Sequence, residues 1–241
     1  METRHQKRMD RMQRQWRRFE PWVIVTGPAV ILISFVVLLA VQQTRWLAER
    51  LLSENWPVEL LTFVLLVWAA ICGFMIARQA SKHEEHKLVI AFYALFAVLS
   101  FVVAMEEIAW GQQFFPIETP EFIKKINVQG ELTLHNLRGH NSATGLFVFG
   151  VAGLIGHGLS LLPSFKKITP PLVMLPWFLL ITIAGGIDRF TDQTATDQVH
   201  IYVIAWFGEV VEMMIAMASI IFLLLKRREL AETWRAAVKD H

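Results

Sequence analysis

Cysteine is almost missing from this chain: Cys72 is the only one, and it lies inside an apolar run. A disulfide framework, a cysteine-based zinc motif and a redox pair within one chain are thereby excluded. Charge is the second shortage. Charged residues make up 18% of the sequence, against about 25% in an ordinary soluble domain. Internal repeats and low-complexity linkers are missing too, so residues 1–241 read as one domain. A removable leader is not expected either. The first apolar run, 22–41, is about twice the length of a signal-peptide core, and Gln42-Gln43-Thr44-Arg45 offers no small-residue cleavage site.

What is present is apolar sequence, 54% of the chain, gathered into runs that are nearly free of charge. A spanning helix needs about 20 apolar residues to cross ~30 Å of hydrocarbon. Six runs meet this pattern, at 22–41, 57–77, 88–105, 144–162, 171–187 and 200–225. The expected fold is all-α: a polytopic helical bundle with six transmembrane helices and an interfacial or re-entrant outer segment at 106–143. Lys and Arg number 17 in the segments on one side of these spans and 6 on the other, and every alternate segment follows the trend. The 17-residue side, which includes both termini, is therefore expected to be cytoplasmic. Residues 1–21 read as a basic helix at the anionic membrane surface, a topology signal rather than a nucleic-acid site. Trp46 and Trp56 fall at the outer interface.

The segment 106–143 is the only long connection. Thr119-Pro120-Glu121 reads as an N-cap, a first-turn proline and a first-turn acid opening a short helix that ends at Ile126. Phe114, Phe115, Phe122, Ile123 and Ile126 give it an apolar side, to lie along the outer interface or tuck into the bundle.

Acids collect at outward positions: Glu59, Glu106, Glu107, Glu131, Asp188, Asp192 and Asp197, with His135 and His140 in the long segment and His200 opening the last run. Glu209 and Glu212 follow ~14 Å and ~18 Å below His200 at about 1.5 Å rise per residue, inside the hydrocarbon. Acids at that depth are costly unless they pair, face a cavity or stay protonated, and so mark a functional site. Spaced three apart, these two share a helix face. The bland alternative is an ion-pair network with Arg138 or Arg189, which gains little stability for its desolvation cost. Glu106 and Glu107 are adjacent, so only one of them is expected to turn inward. Gly185-Gly186 offer a place for the fifth span to end early, opening backbone beside Asp188. His157 sits among Gly150, Gly153, Gly156 and Gly158, a pattern of close helix packing with the histidine bonded to a neighbour. His83, Glu84, Glu85 and His86 read as a solvated cytoplasmic loop.

Carboxylates with one to three imidazoles suit zinc, iron or manganese, and such a metal activates water or polarises a carbonyl or phosphoryl oxygen. The expected ligands are Glu107, His135, His200 and Glu209. Glu131 and Glu212 are assigned as general base or orienting groups, and Glu106, Trp110, Gln112, Asn136 and Asp188 as the surrounding pocket. The leading expectation is a membrane-embedded, metal-dependent hydrolase acting on a lipid or lipid-linked substrate at the outer leaflet. The competing class is a proton- or cation-coupled carrier using Glu209 and Glu212, and the third is a structural or partner-binding membrane protein.

Two blocks carry a resemblance: Glu106-Glu107-Ile108-Ala109-Trp110-Gly111-Gln112 and Asn127-Val128-Gln129-Gly130-Glu131 followed by Leu134-His135-Asn136. They resemble E-E-I-S-W-G-Q and N-x-Q-x-E-x-x-L-H-N blocks of a group of uncharacterised bacterial integral membrane proteins. That resemblance implies a bacterial inner-membrane location and indicates where a site lies, without giving a reaction. Ala109 stands where the block has serine, which argues against a serine nucleophile there. A more distant analogy, of chemistry alone, is to alkaline ceramidase-like membrane hydrolases, although the His-x-x-x-His pair of that superfamily is missing.

Overall fold

In the computed structural model the described residues are 4–53, 57–112, 114–127, 130–133, 142–194 and 198–239; side chains are described from residue 21 onward, except at 142–143, 188, 191–194, 198–205 and 238–239. Eight α-helices occupy these segments: α1 (Arg4–Ala40), α2 (Gln42–Leu52), α3 (Pro57–Lys82), α4 (Lys87–Glu107), α5 (Glu121–Ile126), α6 (Ser142–Leu159), α7 (Leu175–Thr194) and α8 (Gln198–Lys239). Among the described residues, four stretches are long and apolar enough to cross a membrane: Pro21–Ala40, Pro57–Lys82, Lys87–Glu107 and Trp206–Ala237. Two shorter apolar helices, Thr144–Leu159 and Leu172–Ile187, fall in the fourth and fifth apolar runs.

The helices wear their apolar residues on both sides. On α3, Leu66, Ala69 and Ile76 are buried while Val64, Trp68, Ile71 and Phe74 are exposed; α4 repeats this with Tyr93 and Ala97 inside and Leu95, Val98 and Phe101 outside. Exposed apolar surface of that extent is untenable in water, and it is what a bilayer solvates. The chain is accordingly a membrane protein.

Small residues set the packing. Between lipid-solvated helices there is no hydrophobic drive, so close backbone approach and van der Waals contact hold the bundle. α3 and α4 form an antiparallel hairpin in which a Cβ on Gly73 would stand 3.2 Å from both the Tyr93 carbonyl and the Ala97 side chain. α6 and α7 form a second hairpin, closer still: a Cβ on Gly150 would meet Thr182, and one on Gly153 would enter the ring of Phe178. α8 lies between the hairpins and packs on α3 and α7, burying Val210, Val211, Met214 and Leu223. α1 leans on α7, where the buried Trp177 indole donates to the Ile24 carbonyl at 2.7 Å.

Two local expectations need correction, and one helix was not foreseen. Gly185-Gly186 do not end a helix, because α7 runs on to Thr194. A Cβ on Gly185 would come within 2.8 Å of the Phe147 backbone nitrogen, so this glycine exists for contact with α6, and Asp188 is helical. The connection after the first span is not a plain loop: it holds α2, an amphipathic helix that buries Ala48 and Leu52. Thr44 and Arg45 turn back to the Leu38 and Leu39 carbonyls at 3.1 and 3.0 Å, which satisfies acceptors left over at the end of α1. Finally, 83–86 is not simply solvated. Glu85 accepts from Lys167 Nζ at 2.6 and 2.7 Å and from the Trp234 indole at 2.9 Å, and His83 stacks on Trp234 at 4.6 Å. Nearby, the Tyr93 hydroxyl donates to the Lys167 carbonyl at 2.6 Å, and the buried Lys226 ammonium reaches the Lys166 carbonyl and Glu229, each at 2.8 Å. This polar latch ties the α3–α4 turn, the α6–α7 connection and the end of α8 together.

Candidate functional site

At the opposite end of the bundle, acids from three helices converge. Glu59 stands in the first turn of α3, and Glu106 and Glu107 close α4. Glu209 and Glu212 share one face of α8 and are half-buried. The Glu107 carboxyl is within electrostatic reach of four others, Glu212 most strongly, then Glu209, Glu59 and Glu106. The antiparallel pairing of α3 with α4, and the position of α8 against α3, bring these residues to one level.

Glu106 and Glu107 are both withdrawn from solvent, yet they are turned to different tasks. Glu107 takes part in the acidic cluster. Glu106 accepts a hydrogen bond from the Trp110 indole at 2.6 Å. That bond spans an unusual turn. Beyond Glu107 the chain passes through Ala109, Trp110 and Gly111 with φ of 44°, 55° and 92°. Left-handed backbone is free for glycine but costs roughly 1–2 kcal/mol at each of the other two residues. Local strain of this kind is concentrated at functional sites.

Gln112 was expected to line a pocket; it is engaged in building the outer segment. Its amide nitrogen donates to the Ile117 carbonyl at 2.8 Å and the Thr119 hydroxyl at 2.7 Å, and its oxygen accepts from Leu132 N at 2.7 Å. Buried Asn127 completes the clasp by donating to the Thr133 carbonyl and hydroxyl at 2.8 and 3.0 Å and accepting from Glu131 N at 3.2 Å. The two blocks that carry the resemblance are thus bound to each other. Thr119 is not a helix cap: α5 begins at Glu121, with Pro120 at the capping position, and the Thr119 hydroxyl accepts from Gln112 instead. The apolar side of this segment stays outside, with Phe114, Phe115, Phe122 and Ile126 all exposed.

Of the residues assigned from sequence, Glu107, Glu209, Glu212 and Glu106 are brought together, and Trp110 is joined to them through Glu106. Glu131 is half-buried on the turn held by Gln112 and Asn127. His135 and Asn136 lie outside the described residues, as do the side chains of Asp188 and His200. Among the described residues no three His, Cys, Asp or Glu side chains meet in an arrangement that could hold a metal ion. Glu59 was noted as an outward acid but left out of the site; its place in the first turn of α3, beside the end of α4 in a short hairpin, was the available signal. His157 behaves as packing predicts, its ring nitrogens 2.8 Å from the Gly153 carbonyl and 3.3 Å from that of Pro171.

Comparison with protein-family models, curated proteins and solved structures finds no match for this chain.

Proposed function

We propose that this chain is a membrane-embedded, metal-dependent hydrolase acting on a lipid or lipid-linked substrate. The observation that carries the reading is the gathering of Glu59, Glu106 and Glu107 with Glu209 and Glu212 at one end of the bundle. Several carboxylates in one partly desolvated place offer a set of oxygen donors to a hard cation. Glu107 and Glu209 offer hard oxygen donors, and His135 and His200 would complete a set suited to zinc, iron or manganese. Glu212 or Glu131 would then take a proton from the attacking water or orient a ligand. The strained turn at Ala109–Trp110 and the exposed aromatic segment after it supply the border of such a site at the lipid surface.

Six spans are part of the proposal, with Thr144–Leu159 and Leu172–Ile187 as the two short ones, the acidic end outward and both termini in the cytoplasm of a bacterium. The support is the charge imbalance of 17 against 6 Lys and Arg. In intact cells an impermeant thiol reagent is expected to label a Glu118→Cys variant and to spare Ser164→Cys until lysis. The reverse result overturns the orientation.

Elemental analysis of detergent-purified protein tests the chemistry. Near-stoichiometric metal is expected in the wild type, with loss in His135→Ala and in Glu209→Ala. Metal-free wild type, purified without chelator, defeats the metalloenzyme. A second reading then takes its place, that of a proton- or cation-coupled carrier, favoured by the shared face of Glu209 and Glu212 at hydrocarbon depth.

A further inference from the structure

Below the acidic end a groove of about 450 Å³ runs between α4 and α6, floored by α7 and α8. Its walls include Phe96, Leu99 and Val103 of α4, Phe149 and Gly153 of α6, and Ile215 of α8; the only side-chain hydroxyls are those of Ser100 and Ser219. On the α6 side the wall is low, because Gly153 and Gly156 carry no side chains and the ring of Phe178 and the edge of Pro170 pack directly against their backbone. It is open along its flank, since Leu99 and Val103 line it and are still 55% and 44% exposed. Along α4 it extends from Phe92 to Val103, roughly 16 Å at 1.5 Å per residue. That is about half of the ~30 Å hydrocarbon core, the depth of one leaflet. Its upper end meets the acids: Val103 is one helical turn from Glu107, and Ile215 is three residues from Glu212 on α8.

We propose that this groove holds one acyl chain of a membrane lipid, which enters sideways from the leaflet on the acidic side and leaves its head at Glu107, Glu209 and Glu212. The apolar walls, the lateral opening and the one-leaflet length define the chain. Continuity with the carboxylates places the polar head beside Glu107, Glu209 and Glu212. The placement of the head rests on the hydrolase reading above; occupancy of the groove by a chain does not.

The test uses full-length protein in vesicles of phosphatidylcholine containing a diacylglycerol with a diazirine on one acyl chain. After illumination, labelled residues are mapped by mass spectrometry. Labels are expected on the α4 and α6 walls. Ala152→Trp fills the groove from an exposed lining position, so core packing is untouched. It should cut wall labelling roughly tenfold, the equivalent of excluding about two methylenes. Val98→Trp, exposed on α4 away from the groove, should leave labelling unchanged. Labels spread over the bilayer-facing surface in proportion to exposure, or insensitivity to Ala152→Trp, overturn the proposal. So does efficient disulfide trapping of Ala152→Cys dimers in native membranes, which would seat a second copy there. Metal content is read on the same samples. Groove labelling without metal defeats the hydrolase reading alone, and metal without groove labelling defeats the acyl-chain reading alone.

Discussion

Gln112 is the residue on which the outer segment depends most, because its one amide satisfies a carbonyl, a buried hydroxyl and a backbone N–H. Each such bond is worth about 1 kcal/mol net, and more where a partner is left buried. Gln112→Ala is therefore expected to destabilise the protein by about 2–3 kcal/mol, while Gln112→Glu, which keeps the acceptor for Leu132 but loses the donors, falls between. Thermal unfolding in detergent checks the order; equal stability of Gln112→Ala and wild type would show that the clasp carries no load. At this scale the sequence was informative about residue type and less so about partners. Acids among apolar residues stand out because charge in hydrocarbon is costly, and Glu107, Glu209 and Glu212 were found that way. Asn127 was seen only as a member of a block, and Gln112 as a pocket residue rather than a clasp. Nothing in a sequence states that an amide at 112 reaches a backbone nitrogen at 132. Nor does alternation of polar and apolar residues reveal left-handed backbone at Ala109 and Trp110.

Among the elements, the α6–α7 hairpin is the one whose sequence and packing agree most closely. Glycines at 150 and 153 admit Thr182 and Phe178 to the α6 backbone, whereas Gly158 faces nothing within 4 Å. Gly153→Ala would place a methyl inside the Phe178 ring, so overpacking of roughly 1–3 kcal/mol is expected. Gly158→Ala should be neutral or slightly stabilising through helix propensity. If both variants melt alike, the hairpin is held by something other than this contact. Four helix lengths were readable from hydropathy, since bilayer thickness fixes them. The extension of α7 to Thr194 was not, because a glycine pair reads equally as a helix end or as a contact surface. The partner across the interface, here Phe147, decides between them. α2 was overlooked for a related reason: eleven residues with mixed polarity resemble a loop until Ala48 and Leu52 are seen to share a face.

For the whole molecule, the two ends differ in kind: acids gather at one, and a satisfied polar latch ties helices together at the other. Burial by itself pushes the Glu85 carboxyl up, but hydrogen bonds from Lys167 and Trp234 and the charges of Lys167 and His83 outweigh this and hold it below the usual carboxylate range. A carboxylate lowered in the folded state contributes stability that is fully present above its unfolded value of about 4.3, and that contribution fades as pH falls through the lower folded value. Wild type should thus lose stability on acidification in this window, and Glu85→Gln should start less stable and lose less; identical pH profiles would refute the latch. The sequence placed His83 and Glu85 in a short loop between spans and gave no hint of Trp234, which is about 150 positions away. Such pairings are set by how helices are arranged, and local pattern does not carry that information.

The last helix connects the two ends. Between Glu209 and Trp234, α8 contains neither glycine nor proline, the residues at which helices bend, and the interval is about 38 Å at 1.5 Å per residue. It behaves as a stiff beam, clamped at its lower end by the indole of Trp234 and packed on α3 and α7 beside the carboxylates at its upper end. Any rocking that spreads or closes the acidic mouth must be matched by slip or strain at the clamp, and a ligand gripping the C-terminal tail would be mechanically geared to the far side of the bilayer.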